Sequence, residues 1–262
     1  MKKTAHLIFA ASLLVGACGS GNDSNGSSSG SSSGAVGHGD AANGVYYGTL
    51  TSGSGSGAKS VTFFGLVDAN GKARFIENSG TTAKPVYTLV SPATISTSGA
   101  GTFSAAYTAY GATNNTGTMA ASVTPGAIIV GTLTDSSGAT LNYSLSYEAG
   151  DWETGSSLAT IAGSYTDTYS LNGTDYTASL AIDSSGNISG SDNRGCKYNG
   201  SVSVPDSSRN GYEVGGFTSS CLSGSAFSGV GSFSAASGLS KAVFRIAVDN
   251  GSGGVFLKLT AV

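Results

Sequence analysis

The residues best suited to chemistry in this chain are three carboxylates around its single tryptophan. Glu148, Asp151 and Glu153 flank Trp152 in one short segment. Paired carboxylates can act as general acid and base on a sugar or bind calcium, and an indole ring offers a surface for stacking. Glycines surround the group, and charged side chains in such connecting segments are normally just solvated. These four residues are therefore a candidate ligand-binding group without an assigned catalytic role, and Trp152 is alternatively a plug between two lobes or at a barrel end.

The histidine count excludes most other catalytic chemistry. The chain has only two His, and both His6 and His38 precede the first predicted strand. A Ser-His-Asp or Cys-His arrangement, and the common zinc sites that contain His, have no histidine available in the folded part. We therefore expect no enzyme activity, no cofactor and no metal. The net charge of −3, without a basic cluster, argues against a nucleic-acid partner.

The amino-terminal residues predict export and a lipid anchor. Lys2 and Lys3 precede an apolar stretch over residues 7–15, which is shorter than the roughly 20 residues of a spanning helix. The sequence Leu14-Val15-Gly16-Ala17-Cys18 resembles the lipobox of bacterial lipoproteins. The resemblance implies removal of residues 1–17 and diacylation of Cys18, and Gly19 is similar to the sorting position of Gram-negative outer-membrane lipoproteins. The alternative is an ordinary signal peptide in which Cys18 has no role.

Residues 18–43 predict a tether between this anchor and the folded body. The segment consists almost entirely of Gly, Ser, Asn, Asp and Ala, so it has little to bury and is expected to stay a flexible coil. Its root-mean-square reach would be about 25–30 Å. The expected location is therefore the cell envelope, on a lipid anchor in the outer membrane, with the periplasmic or the surface face left open.

From residue 44 onward, apolar residues alternate with small polar ones, which is typical of strands with one buried face. Two apolar faces are formed by Leu141, Tyr143, Leu145 and Tyr147, and by Phe244, Ile246 and Val248. The opposite faces, which include Arg245 and Ala247 in the second strand, are predicted to meet solvent. No segment keeps a helical period, so we expect almost no helix.

Short sequences that start with Asp and end with Gly separate the predicted strands. They are Asp68–Gly71, Asp135–Gly138, Asp183–Gly186 and Asp249–Gly251. Asp can start a type I turn through its carboxylate, and Gly accepts the positive φ that ends it. We interpret these Asp residues as turn residues rather than ligands. Several of these marks recur at an offset of about 115 residues, which indicates a unit that occurs twice.

The strands and turns together predict an all-β fold of two tandem eight-stranded antiparallel meander lobes. The first lobe spans residues 44–150, a connector spans 151–162, and the second lobe spans 163–262. Each set of eight strands can close into an up-and-down barrel, which removes exposed edges, or can fold as a sandwich. One continuous sandwich over both halves is the competing architecture.

Two cysteines, Cys196 and Cys221, fall in neighbouring strand regions of the second lobe. In an exported protein such a pair is expected to form a disulfide. The chain-entropy model gives a stabilisation of about 3 kcal/mol for a loop of this size.

Two functional classes remain for a chain of this kind. The first is a membrane-anchored envelope lipoprotein with a non-enzymatic binding or structural role, which the layout of anchor, tether and β body supports. That layout is similar to the transferrin-binding and factor H-binding lipoprotein groups, although no motif is shared. The second is a carrier of a small apolar ligand, since Gly44-Val45-Tyr46 and Gly163-Ser164-Tyr165 resemble the Gly-x-Trp of lipocalins, with Tyr in place of Trp. A barrel filled by its own side chains is the alternative to a carrier. The expected partners are the membrane, a protein or a small apolar ligand, and we expect a monomer.

Overall fold

The structure, a computed structural model, describes residues 42–53, 58–68, 70–81, 85–93, 95, 101–111, 113–171, 174–222 and 224–262. The predicted signal peptide, Cys18 and residues 19–41 of the predicted tether lie outside the described residues. Within the described ranges the chain forms sixteen β-strands and two short helices. The expectation of an all-β chain with almost no helix is confirmed.

The first eight strands form a closed antiparallel barrel in which each strand pairs with the next one along the chain. Its strands are β1 (Gly44–Ser52), β2 (Lys59–Val67), β3 (Ala73–Asn78), β4 (Tyr87–Pro92), β5 (Gly101–Tyr110), β6 (Asn115–Thr124), β7 (Ile128–Asp135) and β8 (Thr140–Tyr147). The barrel closes between β1 and β8, where Tyr46 lies opposite Tyr147.

A connector with two one-turn helices, α1 (Ala149–Trp152) and α2 (Leu158–Ile161), leads to a second closed barrel. Its strands are β9 (Gly163–Leu171), β10 (Thr174–Ile182), β11 (Asn187–Asp192), β12 (Lys197–Ser203), β13 (Tyr212–Ser219), β14 (Phe227–Ser234), β15 (Val243–Asp249) and β16 (Gly254–Ala261). The predicted tandem of eight-stranded antiparallel lobes is confirmed, and both lobes are barrels rather than sandwiches.

The Asp-to-Gly turns form as the sequence predicts. Asp135 Oδ1 accepts the backbone N–H groups of Ser137 and Ala139 at 2.8 and 2.9 Å. Gly138 then takes a φ of 85°, a region that favours glycine because it has no Cβ. Asp183 makes the same two bonds to Ser185 and Asn187. The carboxylates of these hairpins therefore order the turns.

Side chains fill the interior of both barrels. In the first barrel the rings of Phe63 and Phe75 stack 5.6 Å apart, and Tyr143 packs edge-on against Phe63 at 5.7 Å. In the second barrel Tyr212 meets Phe244 edge-on at 5.3 Å. All five rings are buried. The inward-facing aromatic residues thus give each barrel a packed core.

The internal repeat extends to single hydrogen bonds at the start of each barrel. The Tyr46 hydroxyl donates to the carbonyl oxygen of Ala42 at 2.9 Å, and the Tyr165 hydroxyl donates to that of Ile161 at 2.7 Å. Both tyrosines are buried. Ala42, assigned to the tether from sequence, is buried as well and packs against the core of the first barrel. The same hydrogen bond thus precedes the first strand of each barrel.

The disulfide between Cys196 and Cys221 is present, with the two Cα atoms 5.3 Å apart. Cys196 lies just before β12, and Cys221 lies just after β13, so the bond joins the same end of two paired strands. The predicted pairing is confirmed.

A third apolar cluster lies between the barrels rather than inside either one. Its buried members are Val45, Phe64, Leu66, Ile76, Leu89, Tyr110, Trp152, Val230 and Ala247. Trp152 is only 3% exposed and lies between the barrels, where the plug interpretation places it. The prediction that the outer face of β15 meets solvent is wrong, because Ala247 is buried in this cluster. Apolar outer faces therefore join the barrels over a shared junction.

Candidate functional site

The short helix α1 directs the carboxylates of the predicted acidic group around Trp152 to different places. Glu148 precedes α1 and is exposed, as is Glu153 just after it. Asp151 points into the junction, and the Glu153 carboxylate accepts a hydrogen bond from the Tyr147 hydroxyl at 3.1 Å. Among the described residues, no group of three His, Cys, Asp or Glu side chains is placed to hold a metal ion. The carboxylates are thus not brought together around one ligand.

Asp151 instead joins the two barrels. Its Oδ2 accepts hydrogen bonds from the Tyr47 hydroxyl of the first barrel at 2.5 Å and from the Ser234 hydroxyl of the second at 3.0 Å. Arg245 donates to Ser234 Oγ at 2.7 Å, and its guanidinium lies 5.5 Å from the centre of the Tyr47 ring. Burial, opposed by Arg245 and supported by the bond to Asp151, raises the pKa of Tyr47 to about 12. The connector therefore contributes a carboxylate to a polar bridge between the barrels.

A buried ion pair forms a second polar bridge between the barrels. Arg74 Nη2 of β3 lies 2.6 Å from Asp249 Oδ2 at the end of β15, with the two side chains 8% and 13% exposed. The Ser91 hydroxyl donates to the same carboxylate oxygen at 2.7 Å. Burial lowers the pKa of Arg74, while Asp249 opposes that shift. Asp249, interpreted from sequence only as a turn residue, thus also pairs across the junction.

The second barrel is closed over only a short part of its last seam. β9 and β16 pair at Thr166–Thr260 and Tyr165–Ala261. Beyond these pairs, the Asp167 carboxylate takes the place of a strand partner and accepts the Lys258 N–H at 2.9 Å. Burial, partly offset by N–H donors, raises the pKa of Asp167 to about 6. The two strands therefore diverge toward one end of the barrel.

The first barrel packs against this divergent end of the seam. The N–H of Ser170 on β9 donates to the carbonyl oxygen of Pro85, just before β4, at 3.2 Å. The Tyr87 ring of β4 meets the Phe256 ring of β16 edge-on, with centroids 4.7 Å apart. Burial raises the pKa of Tyr87 to about 12. The opening of the seam thus faces the other barrel rather than bulk solvent.

A cleft of about 410 Å³ lies at this point, between β4 of the first barrel and the mouth of the second. We call it the junction cleft. Its wall in the second barrel includes Tyr169, Tyr198, Leu257 and the Cys196–Cys221 disulfide. Tyr198 and Leu257 also belong to the barrel core, so the cleft reaches the end of that core. Its volume falls within the range of small-molecule sites, about 300–1,000 Å³.

Asp192 holds the tyrosines of this wall in place. Its Oδ2 accepts the hydroxyls of Tyr198 and Tyr169 at 2.7 and 3.0 Å. Its Oδ1 accepts the N–H groups of Arg194 and Cys196 at 2.9 and 3.0 Å. Burial raises the pKa of Asp192, but the hydrogen bonds outweigh it and the net shift is downward. The carboxylate is therefore kept ionised and fully engaged in shaping the wall.

A larger depression of about 820 Å³ lies on the outer wall of the first barrel. It is shallow, and its lining includes the small side chains of Thr108, Thr116 and Thr134. The junction cleft is smaller, yet it has aromatic walls from two barrels that enclose a ligand on more than one side. Enclosure rather than volume makes the junction cleft the better candidate site.

Sequence reasoning did not identify the junction cleft. One signal was present, since Asp192-Asn193-Arg194-Gly195 repeats the Asp-to-Gly turn directly before Cys196. This turn places Arg194 at the cleft, and Gly195 takes a φ of 89°. The contribution of β4 has no local signal, because the strand that it packs against at the cleft, β16, lies in the other barrel and is remote along the chain.

No protein-family model, no curated protein and no solved structure matches this chain. In the part of the chain that the structure covers, no helix has the length and apolar character needed to cross a membrane.

Proposed function

We propose that this chain is a lipid-anchored envelope protein whose double-barrel body binds a partner without catalysing a reaction. The lipobox-like sequence ending at Cys18 supports the anchor, and the composition of residues 19–41 supports a tether. The observation that carries the binding role is the junction cleft, a concave site with aromatic walls between two packed barrels. The two barrels together supply a site that neither could form alone.

The use made of the carboxylates supports binding rather than catalysis. Asp151 and Asp249 bridge the barrels, Asp192 holds two tyrosines, and Asp135 and Asp183 order turns. A general acid or base needs a proton that it can exchange with a bound substrate. These carboxylates are instead occupied by hydrogen bonds that hold the fold together.

A carrier of a small apolar ligand is the second candidate, and the reach of the junction cleft into the second barrel favours it. Tyr198 and Leu257 line the cleft and also pack in the barrel core. Such a carrier would hold its ligand at the barrel mouth, beside the first barrel, because aromatic residues occupy the centre. This differs from the lipocalin arrangement that the Gly-x-Tyr sequences imply.

Fatty-acid incorporation tests the anchor. Cells grown with an alkynyl fatty acid should label the wild-type protein, and Cys18→Ala should lose both the label and membrane sedimentation. Ser20→Ala, a matched small substitution two residues away, should keep both. If the Cys18→Ala protein is labelled and sediments like the wild type, the anchor proposal is wrong.

A further inference from the structure

We propose that the junction cleft binds a small amphiphilic anion, with an apolar ring or chain in the cleft and a carboxylate or similar group at Arg194. This inference deepens the binding role proposed above and rests on it. The shared chemistry is an apolar body that ends in one negative charge. It is recognised by aromatic walls, by an apolar rim and by one guanidinium.

The walls of the junction cleft suit a flat or extended apolar body. Tyr87 and Phe256 form an edge-on aromatic pair in the lining. Tyr169 and Tyr198 also line the cleft, with both hydroxyls bonded to Asp192. Because those hydroxyls are already bonded, the rings are the groups best placed to meet a ligand. Aromatic rings of this kind bind apolar groups by stacking and edge contacts.

The rim of the cleft carries exposed apolar side chains. Val86 is 41% exposed and Leu222 is 45% exposed, and both line the cleft. They are two of the five large exposed hydrophobic residues in the described part of the chain. They belong to different barrels, so their presence at one opening is not a property of one loop. A ligand entering between them would cover apolar surface that otherwise meets water.

Arg194 supplies the charge that recognises the anionic end. Its guanidinium lies 5.1 Å from the centre of the Tyr176 ring, and a hydrogen bond with Tyr169 raises its pKa further. Stacking occupies the face of a guanidinium and leaves N–H donors at its edge. The nearby carboxylate of Asp192 already accepts four hydrogen bonds. The guanidinium also lies in the field of that carboxylate and bonds Tyr169, but Arg194 is exposed, so its remaining N–H donors can reach an anion from solution.

The cleft is held in shape by bonds on both sides. The Cys196–Cys221 disulfide forms part of its wall, and the bond from Ser170 N–H to Pro85 joins the barrels beside it. A preformed site loses less conformational freedom when a ligand binds. The structure thus describes a binding geometry that needs no large rearrangement.

Photolabelling of the full protein in unfractionated lysate of its own cells tests this proposal. The probe is 4-benzoylbenzoate, a two-ring carboxylate whose ketone inserts into nearby C–H bonds on illumination. We expect adducts on β9, on β16 and on residues 85–89, mapped by peptide mass spectrometry. The neutral analogue 4-methylbenzophenone should label these peptides about tenfold less at equal concentration, the factor expected for one hydrogen bond to a charged group.

Charge variants at the rim provide the matched controls. Arg194→Gln should weaken saturation by the carboxylate probe about tenfold. Leu222→Glu should reduce labelling by the carboxylate probe and Leu222→Lys should increase it. The side chain is exposed at the rim, so a new negative charge there repels the anion and a new positive charge attracts it. The same two changes at Leu239, which is fully exposed in the loop at the opposite end of the barrel, should have no effect.

Two results would overturn the proposal. One is equal labelling by the charged and neutral probes, which would remove the role of Arg194. The other is labelling spread over the surface, unaffected by the Leu222 variants. Neither result bears on the proposed lipid anchor, because fatty-acid incorporation at Cys18 is measured in a separate experiment. Failure of the cleft proposal and failure of the anchor proposal are therefore distinguishable.

Discussion

Asp249 acquires a second role when the chain folds. In the sequence it begins a turn, and its Oδ1 lies 3.3 Å from the Gly251 nitrogen, as a turn residue requires. Its Oδ2 meets Arg74 and Ser91 of the other barrel. The two oxygens of one side chain thus serve local and long-range structure at once. The sequence shows the first role and hides the second, because Arg74 is remote along the chain.

Replacing Arg74 should therefore lower the free energy of unfolding by more than the loss of a surface ion pair does. Arg74→Met leaves a largely buried carboxylate without its charge partner, and we expect a loss of about 3–5 kcal/mol in the free energy of unfolding. The double variant Arg74→Met/Asp249→Leu should recover most of that loss, because neither charge remains buried. Urea unfolding of the single and double variants measures the coupling. Strictly additive losses would contradict the buried ion pair.

Asp167 should make stability depend on pH. Burial raises its pKa from the ordinary value of 3.8 to about 6, so the folded state binds its proton more tightly than the unfolded state does. The resulting stabilisation is present below pH 3.8 and is lost as the pH rises through about 6. In the wild type, titration of Asp167 should lower the free energy of unfolding by up to about 3 kcal/mol between pH 4 and 7. Asp167→Asn, which keeps an acceptor for the Lys258 N–H, should abolish this pH-dependent decrease.

The control for this measurement is a carboxylate whose pKa is lowered by folding rather than raised. Hydrogen bonds from the Asn187 side chain and from turn N–H groups lower the pKa of Asp183. Asp183→Asn should therefore change the pH slope in the opposite direction. Urea unfolding across this pH range compares both variants with the wild type. Equal slopes in the wild type and Asp167→Asn would contradict the burial of a titrating carboxylate.

At the scale of strands and turns, the sequence predicts this molecule well because its signals are local. Alternating residues place Tyr143 and Leu145 in one core and Phe244 and Ile246 in the other. The Asp-to-Gly turns mark where many strands end. The junction was missed because alternation was interpreted as one buried face. The apolar run from Phe63 to Val67 in β2 does indicate the junction, because a continuous apolar run is typical of a strand that is buried on both faces.

Two turns of the same conformation provide a matched test of the glycine that ends each turn. Gly138 and Gly186 both have a φ of 85°, but a Cβ at Gly138 would meet open space, whereas one at Gly186 would lie 2.3 Å from the Val202 carbonyl oxygen. Gly138→Ala should cost about 1–2 kcal/mol through backbone strain alone. Gly186→Ala should cost a further amount of about 1–3 kcal/mol through the steric clash. Thermal unfolding compares them, and equal losses would contradict the packing at Gly186.

At the scale of the whole molecule, the two barrels should unfold together. Trp152, the polar bridge at Asp151 and the Arg74–Asp249 pair all join them. We expect one calorimetric transition for the wild type. Trp152→Ala should cost about 3–5 kcal/mol and separate the transition into two, because the truncated side chain lies between the barrels. A variant that still melts in one step would show that the coupling does not depend on this residue.

The central proposal for the whole chain is that the double barrel is held at a membrane by a lipid on Cys18. The most direct test is mass spectrometry of the amino-terminal peptide of the mature protein from its own cells. We predict a chain that begins at Cys18 and carries a diacylglyceryl group on its sulfur. A mature chain that begins elsewhere, or one that begins at an unmodified Cys18, would contradict the account.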